Sequence, residues 1–311
     1  MHFIVTGGAG FIGSHLTEQL LCDGHQVTVV DNLSTGKSEN LPVSNQLKFL
    51  EKDILQCQPS DFTTPVDGIA HLAAMPSVTE SWEQPMTAHH CNLSATVAVI
   101  QLCQSLHIPR LVFTSSAAVY GNPIQLPITE EHPTRPISPY GLQKLSSEHY
   151  VSLFAQQIGF SAVNLRLFNV FGPRQNPNSQ YSGVISIFTR LMRQENAISL
   201  YGDGSQTRDF VYVKDVAIAF AKSLTASLEP GTHAVCNIGT GQSVTLVQLI
   251  DSLRDCFPEW GESINYLPAR LGDIQHSRAD VTTAAMLLDF KASWSLSDGL
   301  RSLVDFSTVN H

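Results

Sequence analysis

His2-Phe3-Ile4-Val5-Thr6-Gly7-Gly8-Ala9-Gly10-Phe11-Ile12-Gly13 is the stretch on which the fold turns. The first five residues form a short apolar run with β-branched members and predict a strand. Ser14-His15-Leu16-Thr17-Glu18-Gln19-Leu20-Leu21 follows with helical spacing. Between them stand Gly7, Gly10 and Gly13, each three residues from the next. A glycine turn between strand and helix lets the backbone approach a pyrophosphate, and the helix N-terminus supplies N–H groups and positive dipole. The spacing is not the tighter Gly-x-Gly-x-x-Gly of the commonest dinucleotide fingerprint. The flanking segments therefore carry the reading.

Moving outward, Gln26-Val27-Thr28-Val29-Val30-Asp31 predicts a second strand ending in a carboxylate 18 residues after Gly13. Asp31 is placed to accept hydrogen bonds from ribose hydroxyls and to repel a 2′-phosphate, which favours NAD over NADP. Asn32-Leu33-Ser34-Thr35-Gly36-Lys37 reads as the loop over the ribose. Leu47 to Ile54 predicts a third strand, with Asp53 set to meet the adenine edge. Gly68-Ile69-Ala70-His71-Leu72-Ala73-Ala74 is a fourth strand running into small residues that suit close passage of a cofactor. A long helix is expected from about Glu83 to His107, carrying Asn92 and ended before Pro109. Leu111-Val112-Phe113 then reads as a buried strand leading to Ser115 and Ser116.

Tyr140 and Lys144, four residues apart, share one face of a helix that runs to about Gly159. Taken alone such a pair is an ordinary surface feature. Placed after a serine strand in an α/β sheet, it reads as chemistry: an ammonium beside a phenol favours the phenolate and lowers its pKa. Such a tyrosine can take a proton from a substrate hydroxyl. The alternation of strands and helices implies a doubly wound parallel sheet of the Rossmann kind, with a smaller α/β C-terminal substrate-binding domain. The large domain is expected over residues 1–168 plus about 213–240, where Ala234-Val235-Cys236-Asn237-Ile238 returns to the sheet. The smaller takes 169–212 and 241–311.

Hydrophobic residues make up 43% of the 311 and charged ones 14%, enough for a sizeable core. A net charge of -9 gives no basic footprint for nucleic acid. The six cysteines are scattered without metal-type pairing, and the twelve histidines form no ligand pattern, so no metal is expected. The chain opens on a strand rather than a signal segment and has no apolar run of membrane-spanning length, so no membrane association and a cytoplasmic location are expected.

In combination, Thr6-Gly7-Gly8-Ala9-Gly10-Phe11-Ile12-Gly13, Asp31-Asn32, His71-Leu72-Ala73-Ala74, Ser115-Ser116-Ala117-Ala118-Val119-Tyr120-Gly121, Tyr140 with Lys144, and Arg166-Leu167-Phe168-Asn169-Val170-Phe171-Gly172 resemble the extended short-chain dehydrogenase/reductases. Within them the chain is similar, nearly end to end, to the NAD-dependent UDP-hexose 4-epimerases. That resemblance implies Ser116, Tyr140 and Lys144 as the catalytic trio. It implies NAD held by Gly7, Gly10, Phe11, Ile12, Gly13, Asp31, Asn32, Asp53, Ile54, Leu72, Ala73, Ala74, Asn92, Tyr140 and Lys144. It further implies a homodimer through the helices near residues 83–107 and 139–158. The related 4,6-dehydratases and decarboxylases carry acidic residues just after the catalytic hydroxyl, where this chain has Ala117 and Ala118. Elimination then lacks its acid or base, which favours epimerisation.

For the UDP-sugar, the resemblance implies Ser77, Ser116, Asn169, Gln175, Val184, Arg208, Arg270, Asp273 and Ser277. Arg208 and Arg270 are suited to the diphosphate, and Asp273 to a ribose or uracil group. At the place of Ser277 the epimerases restricted to plain hexoses resemble one another in a bulky tyrosine. A serine leaves room for a 2-acetamido group, and the stretch Gly272 to Asp280 resembles the subgroup acting on N-acetylated sugars. The implied reaction is interconversion of UDP-GlcNAc and UDP-GalNAc, with UDP-Glc and UDP-Gal also admitted. Polysaccharide and galactose pathways both draw on this chemistry. The alternatives are an enzyme for UDP-glucose alone, a UDP-glucuronate 4-epimerase, and a non-catalytic nucleotide-sensing module on the same fold.

Overall fold

The computed structural model describes residues 1–176, 183–269 and 274–309, with side chains described through 306. In chain order the first strands and helix are β1 (His2–Thr6), α1 (Phe11–Cys22), β2 (Gln26–Asp31), β3 (Leu47–Glu51) and β4 (Gly68–His71). Three helices follow, α2 (Val78–Glu83), α3 (Pro85–His89) and α4 (Ala95–Leu106), then β5 (Arg110–Ser116), α5 (Pro139–Ile158), β6 (Ser161–Leu167) and β7 (Asn169–Phe171). The remainder comprises α6 (Val184–Arg193), β8 (Ile198–Tyr201), β9 (Thr207–Arg208), β10 (Phe210–Tyr212), α7 (Val213–Thr225), β11 (His233–Ile238), β12 (Val244–Thr245), α8 (Leu246–Arg254), β13 (Ile264–Leu267), α9 (Thr282–Leu288) and α10 (Leu296–Val309).

The main sheet has seven parallel strands in the order β11-β6-β5-β4-β1-β2-β3. Winding runs outward from β1 in both directions, so the switch point lies between β1 and β4, where α/β sheets open a ligand crevice. Side-chain alternation sorts the core into two layers. Phe3 and Val5 pack with Leu16, Leu20 and Phe220 on one face. Ile4, Ile69 and Phe113 pack with Val99, Ile100, Val151 and Ala155 of α4 and α5 on the other. A third cluster under α6, α8 and α10 builds the smaller lobe around Phe188, Leu200, Leu249 and Trp260.

One expected element breaks where backbone chemistry demands. The helix from Glu83 to His107 is interrupted at Gln84, since Pro85 lacks the N–H to continue and instead starts α3. A π-helical turn, His90–Ser94, then joins α3 to α4. Such bulges concentrate at functional sites, and this one carries Asn92. β6 ends at Leu167. Phe168 turns, and β7 leaves the main sheet to pair with β10.

Candidate functional site

Above Thr6 and His71, which are register partners at the ends of β1 and β4, the glycine turn forms a tight cradle. A Cβ on Gly7 (φ +69°) would sit 2.7 Å from the Ala73 nitrogen, and one on Gly13 would sit 2.1 Å from the Gly7 carbonyl oxygen. Both positions need glycine. On Gly10 an added Cβ would meet only the Gly7 oxygen, at 3.1 Å, so the outer side of the turn is open. Helix α1 starts there without a side-chain cap and with no acidic residue in its first turn. Its leading N–H groups and dipole are arranged for an anion.

Asp31 lies beside this cradle, its carboxylate taking the N–H of Ala9 at 2.9 Å and of Leu33 at 2.9 Å. Asn32 donates to Asp53 at 2.9 Å, and Asp53 also caps the short turn at Ile54 by accepting from Leu55 N–H. The glycine cradle, the uncapped helix start and the carboxylate at the strand end together fit the pyrophosphate and ribose of NAD.

The floor of the crevice is a directed hydrogen-bond chain. Thr6 Oγ1 accepts from the N–H groups of Leu72 and Ala73 at 3.1 and 3.2 Å. Its proton therefore points to His71 Nδ1, 2.7 Å away. His71 then carries its own proton on Nε2, facing Thr96 Oγ1 at 3.3 Å, while Thr96 donates to the Asn92 carbonyl at 2.7 Å. Burial pushes the His71 pKa down to about 3, so the ring is neutral and this tautomer is fixed. Asn92 does not reach outward with its amide: Oδ1 accepts from Met75 N–H at 2.8 Å and Nδ2 donates to Gln143 Oε1 at 2.7 Å. It binds the loop after β4, which carries Ala74, to the tyrosine helix.

Ser116, Tyr140 and Lys144 converge beside that floor. Ser138 caps α5 by accepting from Gly141 N–H at 3.1 Å, and Pro139 opens the helix, so Tyr140 lies in its first turn. Ser81 Oγ accepts the Tyr140 N–H at 3.1 Å, clamping α2 against that turn. Ser116 ends β5, where its hydroxyl accepts the Ala118 N–H at 3.2 Å and lies near the Tyr140 phenol. Lys144 Nζ donates to the Thr114 carbonyl at 2.8 Å, and lies 5.0 Å from the Phe113 ring centroid and 5.9 Å from that of Tyr140.

The electrostatics differ from the simple expectation of a phenol made acidic by its lysine. Burial raises the Tyr140 pKa above its usual value, with the nearby Ser116 hydroxyl as the opposing effect. Burial also lowers Lys144 to about 7, against an opposing pull from Glu148. The protein alone therefore favours a neutral phenol.

On the sugar side the predicted residues stand on several elements. β9 carries Arg208, and the Ser277 N–H donates to the Thr207 carbonyl at 3.1 Å, which sets Ser277, itself buried, alongside. Asn169 opens β7 with an exposed side chain, its N–H held by the Asp209 carbonyl at 3.0 Å. Gln175 Oε1 takes a hydrogen bond from Ser186 at 2.9 Å, next to the start of α6 at Val184. Ser77 caps α2 by accepting from Glu80 N–H. Arg270 and Asp273 lie outside the described residues.

Three residues with organising roles were not foreseen. Gln143 holds Asn92, as described. Asp209, fully buried, accepts from the backbone N–H of Thr240, Gly241 and Ala279 and from the Thr240 hydroxyl, gathering those segments around Arg208. Glu148 stands one turn beyond Lys144; its four-residue spacing after Tyr140 and Lys144 was the available signal.

Among the described residues, no group of three His, Cys, Asp or Glu side chains is arranged to hold a metal, and no helix is long and apolar enough to cross a membrane. The model of the NAD dependent epimerase/dehydratase family matches residues 3–239. The UDP-glucose 4-epimerase of Mycolicibacterium smegmatis is 34% identical over 312 residues, covering 98% of each chain. The solved UDP-N-acetylglucosamine 4-epimerase from Methanobrevibacter ruminantium M1, in complex with UDP-N-acetylmuramic acid, is 36% identical with a TM-score of 0.93, covering 100% of this chain and 99% of that one. The UDP-glucose 4-epimerase of Thermus thermophilus, in complex with NAD, is 33% identical with a TM-score of 0.86, covering 98% of each chain.

Proposed function

This chain belongs to the NAD dependent epimerase/dehydratase family and uses NAD, and we propose that it inverts C4 of UDP-hexoses by transient oxidation there. The observation that carries the reading is the Ser116–Tyr140–Lys144 cluster, with Tyr140 and Lys144 buried, beside a glycine cradle that fits the dinucleotide. Bound NAD supplies a hydride acceptor that can return the hydride to the other face of the sugar. Tyr140 takes the proton of the C4 hydroxyl, and Ser116, whose hydroxyl lies near the phenol, holds the C4 oxygen. Lys144 sets the charge of the phenol. A phenol with a neutral amine and a phenolate with an ammonium contain the same number of protons, so the pair reaches its basic form without exchange with solvent. An amine near 7 is suited to that shuttle, whereas one near its ordinary value would hold its proton permanently.

Elimination is the competing chemistry on a 4-keto sugar, and it needs a carboxyl group beside the hydroxyl. Ala117 and Ala118 occupy the short turn after Ser116. The buried Glu148 is committed to Arg166 and Ser115 in the core. Both facts support epimerisation.

The substrate is UDP-GlcNAc with UDP-GalNAc, and UDP-Glc with UDP-Gal as the smaller pair. Support comes from the small Ser277 beside the Arg208 strand, and from the likeness to the UDP-N-acetylglucosamine enzyme as well as to UDP-glucose enzymes. Arg208, Arg270, Asp273, Asn169, Gln175, Val184 and Ser77 complete the UDP-sugar site. The chain divides into a NAD-binding domain over residues 1–168 and about 213–240 and a UDP-sugar domain over the rest. The enzyme works in the cytoplasm as a homodimer: Leu142, Tyr150 and Leu153 of α5, with Trp82 and Met86 before α4, form an exposed apolar face. The test is separate incubation with UDP-GlcNAc, UDP-Glc and UDP-glucuronate, with 4-epimers resolved by chromatography. Conversion of UDP-GlcNAc is the expected result. Conversion of UDP-Glc alone refutes the pocket assignment, and conversion of UDP-glucuronate alone replaces the substrate class.

A further inference from the structure

Helix α5 carries a third charged side chain on the face of Tyr140 and Lys144. Glu148 follows Lys144 by one turn and is 4% exposed. Arg166 of β6 grips it with two parallel hydrogen bonds, Nε to Oε1 at 2.9 Å and Nη2 to Oε2 at 2.7 Å. The hydroxyl of Ser115, the neighbour of Ser116, donates a short hydrogen bond to the same Oε1. Arg166 Nη1 donates onward to the Tyr120 hydroxyl and the Glu130 carbonyl, both at 3.0 Å, and Tyr120 donates to Asn237 of β11 at 2.6 Å.

A buried ion pair of this kind is weak evidence of stabilisation, because apolar residues of equal volume often serve as well. Its placement is more informative. One carboxylate touches the end of the strand that presents Ser116 and sits under the turn that presents Lys144. We propose that Glu148 is the positioning residue of this site, fixing Ser115 and α5 relative to each other and supplying the buried negative charge against which Lys144 holds its proton. The inference rests on the reading of Lys144 as part of the reacting centre.

Among the described residues, Glu148 is the one charged group that acts on Lys144 in that role. From α5 Lys144 faces the neutral Tyr140 and Glu148; from β4, the neutral His71; from β5, the Phe113 ring and the Thr114 carbonyl; and behind Glu148, the cationic Arg166 of β6. Removing the carboxylate takes away the negative charge that opposes the effect of burial on the ammonium.

The test compares the full-length protein with its Glu148→Gln variant after 15N-lysine labelling, following the Lys144 Nζ resonance (assigned by Lys144→Arg) against pH. The midpoint is expected to fall by about one pH unit, a roughly tenfold loss of proton affinity. With substrate, kcat is expected to fall by about 10–100-fold while KM stays within about twofold, the split expected of a group acting on the transition state. Ser115→Ala separates the two parts of the role, lowering kcat with the Lys144 midpoint unchanged. An unchanged midpoint in Glu148→Gln, or an unchanged kcat in folded Glu148→Gln, overturns the proposal. If Glu148→Gln does not fold, Glu148→Asp keeps the charge on a shorter arm: reduced kcat with a nearly native midpoint supports the proposal, and native kcat overturns it. If the wild type converts no UDP-sugar, the functional reading fails separately, and the Lys144 midpoint alone decides the electrostatic part.

Discussion

At the scale of single residues, the site is built by burying titratable groups and then constraining where their protons lie. His71 is held near pH 3 and His15 near pH 4, in both cases chiefly by burial. An unfolded histidine titrates near 6.5. Between these values the unfolded chain binds more protons than the folded one, so stability falls as the pH falls. From pH 7 to pH 5 each histidine should remove about 2 kcal/mol. Urea unfolding of wild type and His71→Asn at both pH values checks this: the variant should lose about 2 kcal/mol less on acidification. Equal losses would mean that His71 is not buried neutral. The sequence displayed His71 plainly, yet not its role. The role comes from Thr6 and Thr96, 65 and 25 residues away, which only the parallel register and the α4 packing bring to its two nitrogens.

At the scale of elements, the glycine turn and the Tyr140 helix were legible because their signals are local. Strand-glycine-helix spacing is written into fifteen consecutive residues or so, and a four-residue Tyr-Lys interval needs only helical geometry. The region around Asn92 was not legible in the same way. Its apolar pattern suits one long helix, whereas the π turn at His90–Ser94 accompanies tertiary hydrogen bonds. Asn92 exchanges hydrogen bonds with Met75 and Gln143, and Thr96 bonds back to its carbonyl. An Asn92→Leu variant leaves the buried Gln143 carbonyl oxygen without its donor, which costs about 1–3 kcal/mol. Urea denaturation should show this loss, with NAD retention reduced because the loop carrying Ala73 and Ala74 is no longer tied to α5. A native midpoint and native NAD content would show that Asn92 is dispensable for that loop.

At the scale of the molecule, the order of the main sheet places the switch point between β1 and β4, and Ser116, Tyr140 and Lys144 of the candidate site stand on β5 and α5. The alternation of strand and helix predicted this layout. The smaller lobe was far less legible, because its strands are two to four residues long and pair with distant partners, β9 with β12 and β8 with β13. Asp209 illustrates the difficulty: one of two acids in a glycine-rich stretch proves to be the buried acceptor that draws residues 240, 241 and 279 together. The outer face of α5 makes a further prediction. Leu153→Asp places a charge in the exposed apolar patch, and sedimentation should show a dimer turning into a monomer with the fold intact. An unchanged assembly state would remove α5 from the interface.

The central claim is oxidation and reduction at C4 of a UDP-sugar, and substrate deuterated at C4 tests it most directly. The purified protein is incubated with C4-deuterated UDP-GlcNAc in ordinary water, without added NAD, and the products are followed by proton NMR. The account predicts the C4 epimer with deuterium retained at C4 and no accumulation of NADH. Epimer with hydrogen from solvent at C4, or steady formation of NADH without epimer, would contradict it.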